Sequence, residues 1–290
     1  MQKSLLVTIS EDPRSLNSIR CIAQLFPQKK DVKLTLFYVT PKPPSVLQGE
    51  GVRGSLRAAK VQERQWSETG KGALEAAREE ALALGFTEEG LEMKLKKGMV
   101  SKVTDIVHEG ERGQYDAVAL GPRGLSWFEG VFGQSVSRDL LQKKMSFPLW
   151  ICRGGGKGRK NILLCLDGSE LAYRAADHVG FILADQLHHR VTLLQVEKTR
   201  KAQKEEESIF QRAEELLKEN GFPPDQTDRK VLEETNIAKA IMKESEEGKY
   251  AAVAVGRAGL GRGMMDMLFY GSVCDRLFNE LKEPALWISH

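Results

Sequence analysis

The sequence predicts an α/β protein built from two tandem five-stranded parallel sheets, each open and doubly wound. Two observations carry this: the chain repeats itself, and within each repeat short apolar runs alternate with helical patterns. KSLLVTIS (3–10) matches KNILLCLD (160–167) at a shift of 157, and the same shift aligns LTLFYV (34–39) with VTLLQV (191–196). The shift falls to 135 where GQYDAVALGPRGL (113–125) meets GKYAAVAVGRAGL (248–260). It is 137 where QSV (134–136) meets GSV (271–273), and PLWI (148–151) meets PALWI (284–288) last. Five blocks in one order define a first domain at 1–153 and a second at 161–290, joined by a Gly/Lys linker at 154–160. A length of 290 residues suits two domains, each long enough to bury its own core.

In the first copy the expected strands are 4–9, 32–39, 91–96, 116–121 and 149–152. They are rich in Val, Ile and Leu without strict alternation, the pattern of strands covered on both faces. Asp12-Pro13 starts a helix in the favoured order of N-cap and first residue. The Pro- and Gly-rich connection 41–54 reads as a loop and accounts for the change of shift. Over 57–84, Trp66, Gly70, Ala73, Ala77, Ala81 and Leu84 fall at steps of three and four, which predicts an amphipathic helix. Further helices are expected at 101–112 and about 134–145. The second copy repeats the scheme, with strands near 161–167, 190–196, 227–233, 250–256 and 285–289. EEESIFQRAEELLKEN (205–220) forms a helix with Ile209, Ala213, Leu216 and Leu217 inward and its charges solvated.

Composition excludes several classes. Hydrophobic content of 41% with 29% charged residues is ordinary for a globular chain, and no run approaches the ~20 apolar residues of a bilayer span. The apolar run after Met1 is followed by acids and by no small-residue cleavage site, so it reads as a first strand in a cytoplasmic protein. Cys21, Cys152, Cys165 and Cys274 form no CxxC pair, which fits buried free thiols rather than a metal or disulfide framework. Lys+Arg minus Asp+Glu is 23 − 18 = +5 over 1–153, +3 over 154–160 and 17 − 22 = −5 over 161–290. The basic residues form no stripe, so nucleic acid is not an expected partner, whereas opposite charge favours attraction between the halves. The linker lacks GxxxxGK[ST], and His188-His189 reads as a surface turn with no third ligand at suitable spacing. His178 is too isolated in sequence to build a site. No Ser-His-Asp or Cys-His set and no paired carboxylates argue for a dedicated enzyme.

Ligands of open α/β sheets bind beyond the carboxyl ends of strands where the strand order reverses. In the second copy the segments after strands one and four are Asp167-Gly168-Ser169 and a Gly-rich stretch from Gly256 and Gly259 to Gly271-Ser272-Val273. Glycines let backbone amides approach phosphate oxygens, and a helix beginning at Gly271-Ser272-Val273 adds free N–H groups. Ser272 offers a hydroxyl, Arg257 and Arg262 offset phosphate charge, and Asp167 suits a ribose or adenine edge rather than phosphate. Val196, at the end of the second strand, completes the candidate nucleotide-binding set. The Met-rich run 263–269 within that stretch reads as core packing, with a lid over the ligand or a partner contact as alternatives.

On these residues the second copy resembles the universal stress protein family, whose pattern after the fourth strand is GxxG, nine residues, G[ST], with an Asp at the end of the first strand. Asp167-Gly-Ser, Gly256, Gly259 and Gly271-Ser272 follow it, and PALWI resembles the family's last strand. Eleven residues, 260–270, separate Gly259 from Gly271, two more than the pattern. The resemblance spans the chain twice and implies a nucleotide-binding-like α/β fold of the adenine nucleotide alpha hydrolase-like type. It also implies ATP as ligand, with or without Mg2+, with Asp167 on the adenine. Pairing of the last strands, at Trp150 and Trp287, is implied to make an internal pseudo-dimer, with a homodimer open as well.

The first copy departs further. Gly121 and Gly124 are present, but Gln134-Ser135 stands where the family has Gly-Ser, with Gly133 one residue early. Ser10 replaces the acid and is followed by Glu11-Asp12. Ser10, Gly121, Gly124, Gly133 and Ser135 therefore make a weaker, degenerate site. The function expected is adenine-nucleotide binding, mainly by the second domain, in stress-response regulation without dedicated catalysis, slow ATP hydrolysis remaining open. The alternative is a nucleotide-free module of the same fold that binds a protein or an apolar ligand.

Overall fold

The computed structural model describes residues 2–42, 52–121, 145–154, 158–186, 188–197, 203–256 and 273–289, without the side chains of 52–58, 203 and 275. The expected helix at 134–145, all but its last residue, and the Met-rich run 263–269 lie outside the described residues. The chain forms two compact units, and these are not collinear with the sequence repeats.

One unit spans residues 2–19 and 29–145. Its strands β1 (Lys3–Thr8), β2 (Val32–Val39), β3 (Leu91–Lys96) and β4 (Ala117–Leu120) lie in the order β3-β2-β1-β4, all parallel. Leu5, Leu6, Val7, Leu34, Leu36 and Ala117 to Leu120 are almost wholly buried, as strands covered on both faces must be. Asp12 accepts a hydrogen bond from Arg14 N ahead of Pro13, opening a 3-10 turn that runs into helix α1 (Asn17–Leu25). Helix α2 (Val52–Ala83) starts earlier than its periodicity suggests and buries Gly70, Leu74, Ala77 and Ala81. Gly70 lies so close to the Tyr38 ring and Leu95 that a Cβ would sit 2.6–2.7 Å from them. Helix α3 (Lys102–Gly113) is capped by Ser101 Oγ, which accepts from Thr104 N.

The other unit holds residues 20–28 and 146–290. Strands β5 (Leu149–Ile151), β6 (Lys160–Cys165), β7 (Val191–Glu197), β8 (Thr227–Glu233), β9 (Tyr250–Gly256) and β10 (Ala285–Ser289) follow the order β5-β10-β9-β6-β7-β8. All pairs are parallel except β5 with β10, which run antiparallel with Trp150 opposite Trp287. The last strand of the first repeat thus packs in the unit of the second. Helices α4 (Glu170–Leu183), α5 (Gln203–Glu219), α6 (Ile237–Glu247) and α7 (Val273–Glu280) connect the strands. Helix α5 buries Ile209, Phe210, Ala213 and Leu217, while Leu216 is half-buried. Its charged face is not merely solvated: Arg229 of β8 bonds Glu214 with two nitrogens at 2.6 Å and reaches Glu207 at 2.8 Å. Such charges along an outermost strand also discourage edge-to-edge pairing.

One histidine departs from the sequence reading. His189 is 1% exposed rather than on the surface, because its Nε2 bonds Leu25 O at 3.0 Å. His178 is buried against Trp150 and Trp287. All four cysteines are free thiols. Among the described residues no helix is long and apolar enough to cross a membrane, and no cluster of three ligating side chains could hold a metal.

Candidate functional site

Strand β6 has β7 on one side and β9 on the other, so the chain leaves β6 in one direction and returns beside it from the other. A reversal of this kind is where open α/β sheets bind ligands, beyond the carboxyl ends of the strands. Leu166 N still bonds Leu194 O at 2.8 Å, after which the backbone leaves the sheet. Asp167 follows and is exposed. Its Oδ1 accepts from Ser169 N at 2.9 Å, a local turn typical of Asp, and its other oxygen has no partner among the described residues. Gly168 has φ +84°, which suits only glycine here, and a Cβ would meet Ile209 of α5 at 3.0 Å. Ser169 is the N-cap of α4, its Oγ accepting from Ala172 N at 3.2 Å.

Gly256 ends β9 against this same turn. A Cβ there would lie 2.3 Å from Leu171 C and 2.5 Å from Leu171 O and Ala172 N, so strand end and first helical turn touch backbone to backbone. Val196 is half-buried one residue before the end of β7, and Val273 is half-buried where α7 begins. Gln195, which the sequence pattern did not single out, is 2% exposed, and its Oε1 meets no donor among the described residues. Burial first, and the Asp167 charge second, push the Cys165 thiol up from its ordinary range, so it is no thiolate nucleophile at neutral pH. Arg257, Gly259, Arg262, Gly271 and Ser272 lie outside the described residues.

The first repeat reproduces the contact and alters the chemistry. Gly121 ends β4 with a Cβ position 2.8 Å from Ser15 Cα and 3.3 Å from Arg14 O. Arg14 and Ser15 are the counterparts of Leu171 and Ala172, since 171 − 14 and 172 − 15 both equal the repeat shift of 157. At the position of Asp167, however, Ser10 is 6% exposed and tied to Ser15 through both its amide and its carbonyl, while its Oγ accepts from Asp12 N at 3.3 Å. Glu11, the counterpart of Gly168, accepts a hydrogen bond from Tyr38 Oη. Burial, that bond and the Glu11 charge push the Tyr38 phenol well above its ordinary range. Asp12 is held by Arg14, Nη2 to Oδ2 at 2.7 Å. Gly124, Gly133 and Ser135 lie outside the described residues.

The model of the universal stress protein family matches residues 1–153 and again 158–288. Among solved structures, a universal stress protein from Archaeoglobus fulgidus is 15% identical with a TM-score of 0.66, covering 99% of this chain and 97% of that one. A universal stress protein in complex with cAMP is 22% identical with a TM-score of 0.37, covering 45% of this chain and 97% of its own. A family protein from Arabidopsis thaliana with AMP bound is 17% identical with a TM-score of 0.32, covering 52% and 91%. No curated protein sequence matches the chain. With one match in each half, this chain belongs to the universal stress protein family.

Proposed function

We propose that this protein binds an adenine nucleotide in the second half, between the carboxyl ends of β6 and β9, and uses it to regulate a stress response in the cytoplasm. The observation that carries the reading is the exposed Asp167 just beyond the carboxyl end of β6, the strand at which the sheet order reverses between β7 and β9. A carboxylate with one oxygen unengaged among the described residues accepts from an adenine amine or a ribose hydroxyl. The sequence motif supplies the rest of the site: Gly259, Gly271, Ser272, Arg257 and Arg262 toward the phosphates, with ATP as ligand and Mg2+ as a companion ion. Ser10, buried and already hydrogen-bonded, supports assigning the first half (1–153) a degenerate site and the second (161–290) the working one. No group described at the site argues for catalysis.

The test is calorimetric titration of the full chain with Mg-ATP, AMP and cAMP. One site per chain is expected. Asp167→Ala should weaken binding about 10- to 100-fold, the range of a hydrogen bond to a charged group. Unchanged affinity in that variant removes Asp167 from the site. Absence of binding by the wild type at millimolar nucleotide transfers the function to the nucleotide-free interaction reading.

A further inference from the structure

Among the described residues four large apolar side chains stand exposed to water: Val61, Met93, Met99 and Val100. All four belong to the first repeat. Met99 and Val100, 68% and 63% exposed, are neighbours in the turn from β3 to α3. That turn is held in place by polar bonds rather than frayed. Met99 N donates to Oδ2 of the buried Asp105 at 2.9 Å, and Gly98 N donates to Thr40 Oγ1 at 3.2 Å. A Cβ on Gly98 would lie 2.3 Å from Thr40 O, so the turn packs main chain to main chain beyond the end of β2. Lys97 Nζ meets Glu63 Oε1 at 2.6 Å, which brings the turn beside the part of α2 that carries Val61. The fold itself does not require apolar residues here. In the second repeat Glu234-Thr235, both exposed, precede the α6 cap Asn236 as Met99-Val100 precede the α3 cap Ser101. The three differences, 234 − 99, 235 − 100 and 236 − 101, are all 135. An apolar pair held out in water where the same turn accepts Glu and Thr marks a contact surface.

The charge around this pair has one sign. From 93 to 104 the chain carries Lys94, Lys96, Lys97 and Lys102 and no acid, and the exposed Lys60 and Arg64 flank Val61 on α2. Of the acids that reach the turn, Glu63 is engaged by Lys97 and Asp105 by Met99 N and Lys96. We propose that the β3–α3 turn, with Val61 of α2 beside it, is a docking surface for an acidic segment of another protein. Apolar side chains of that segment would cover Met99 and Val100 while its carboxylates meet the surrounding lysines. A second copy of this chain fits the surface poorly. Patch against patch would set lysines against lysines, and the described residues of the second half offer no exposed large apolar side chain for a heterologous contact. An anionic membrane fits poorly as well, because the partly exposed carboxylate of Glu63 lies within the surface, two residues from Val61. The docking surface stands whether or not the second half binds nucleotide.

The experiment titrates full-length protein into a fluorescein-labelled helical peptide with leucines along one face and glutamates along the other, read by anisotropy. Saturable binding that weakens with added salt is expected, and the same peptide with lysine for glutamate should not bind. Met99→Glu with Val100→Thr, the second repeat's own residues, should weaken binding by about 10-fold or more, the effect of removing an apolar anchor. Met99→Gln with Val100→Thr keeps the net charge and should lose nearly as much. Both pairs of substitutions lie on the surface, so the thermal midpoint should not move. Failure of the acidic peptide to bind, equal binding of the two peptides, or wild-type affinity in the variants overturns the proposal. Three further results assign the surface to another occupant and overturn it too. Sedimentation that shows a wild-type dimer and variant monomers names a second copy of the chain. Cosedimentation with phosphatidylcholine–phosphatidylglycerol vesicles that the variants lose names a lipid surface. Tighter peptide binding after Val46→Ser with Leu47→Ser names the chain's own segment 43–51.

Discussion

Trp150 and Trp287 lie face to face across the antiparallel pair β5–β10, ring centroids 4.3 Å apart and planes 5° from parallel. They are counterparts in the two repeats and neither is exposed to solvent. Their polar handles differ: Trp150 Nε1 donates to His178 Nε2 at 3.0 Å, whereas Trp287 Nε1 is buried without a hydrogen-bond partner among the described residues. Trp150→Phe therefore strands a buried acceptor, while Trp287→Phe removes a donor that was already unsatisfied. Both lose packing, but Trp150→Phe should cost about 1–3 kcal/mol more, the desolvation penalty of one orphaned group. Urea denaturation of the two variants reads the difference, and equal losses would show that the His178 bond is energetically idle.

Gly256 and Gly72 make a contrasting pair. A Cβ on Gly256 meets backbone atoms of the first turn of α4, which cannot swing aside as a side chain can. Gly256→Ala should destabilise by about 1–3 kcal/mol through forced backbone movement, and should also lower nucleotide affinity if the site is as proposed. Gly72, in α2, has nothing within 4 Å of its Cβ position. Gly72→Ala should stabilise by about 0.5–1 kcal/mol through helix propensity alone. Thermal melts of the two variants should shift in opposite directions.

The inner strands were legible because each is a short Val/Ile/Leu-rich run between turn residues, the mark of a strand buried on both faces. The charged outermost strands β3 and β8 are not buried and were placed by their position in the repeat. So were the Asp12-Pro13 start and the Asp167-Gly168-Ser169 turn, since local hydrogen bonds to neighbouring amides depend on nearby residues alone. What stayed hidden is non-local. Nothing in PLWI says that β5 packs in the unit of the second repeat, because strand pairing is decided by which edges meet in space. His189 looked like half of a surface turn, and only Leu25, 164 residues away, accounts for its burial. The Tyr38–Glu11 bond spans 27 residues and reveals itself only when β1 and β2 are set side by side.

That bond gives a test of how the first half differs. Glu11 takes the place of Gly168, and Tyr38 takes the place of Gln195, since 168 − 11 and 195 − 38 are both 157. Tyr38 is 1% exposed, so removing its hydroxyl leaves a cavity edge and releases the Glu11 carboxylate to water. Tyr38→Phe should lower stability by about 1–2 kcal/mol, a modest loss because Glu11 is exposed and can be rehydrated. Spectrophotometric titration of the wild type should include tyrosine ionising above the ordinary range, and the variant should lose one tyrosine's worth of that late absorbance change.

His189 makes the stability of its unit depend on acid. Leu25 O can only accept, so Nε2 carries the proton and the buried Nδ1 is a lone pair with no partner among the described residues. Burial, then the charges of His188 and Lys160, push its pKa down to about 4, the Leu25 bond opposing them only in part. The unfolded imidazole titrates near 6.5, so the unfolded chain binds the proton first. The stabilising contribution is therefore complete above about pH 6.5 and is lost as the pH falls toward 4. Between pH 7 and pH 5 the loss amounts to about 2 kcal/mol. His189→Gln keeps a donor for Leu25 O and cannot titrate. Its denaturation midpoint should be lower than the wild type's at pH 7 yet fall less between pH 7 and pH 5. Parallel decline of the two proteins over that interval would assign the acid sensitivity to other groups.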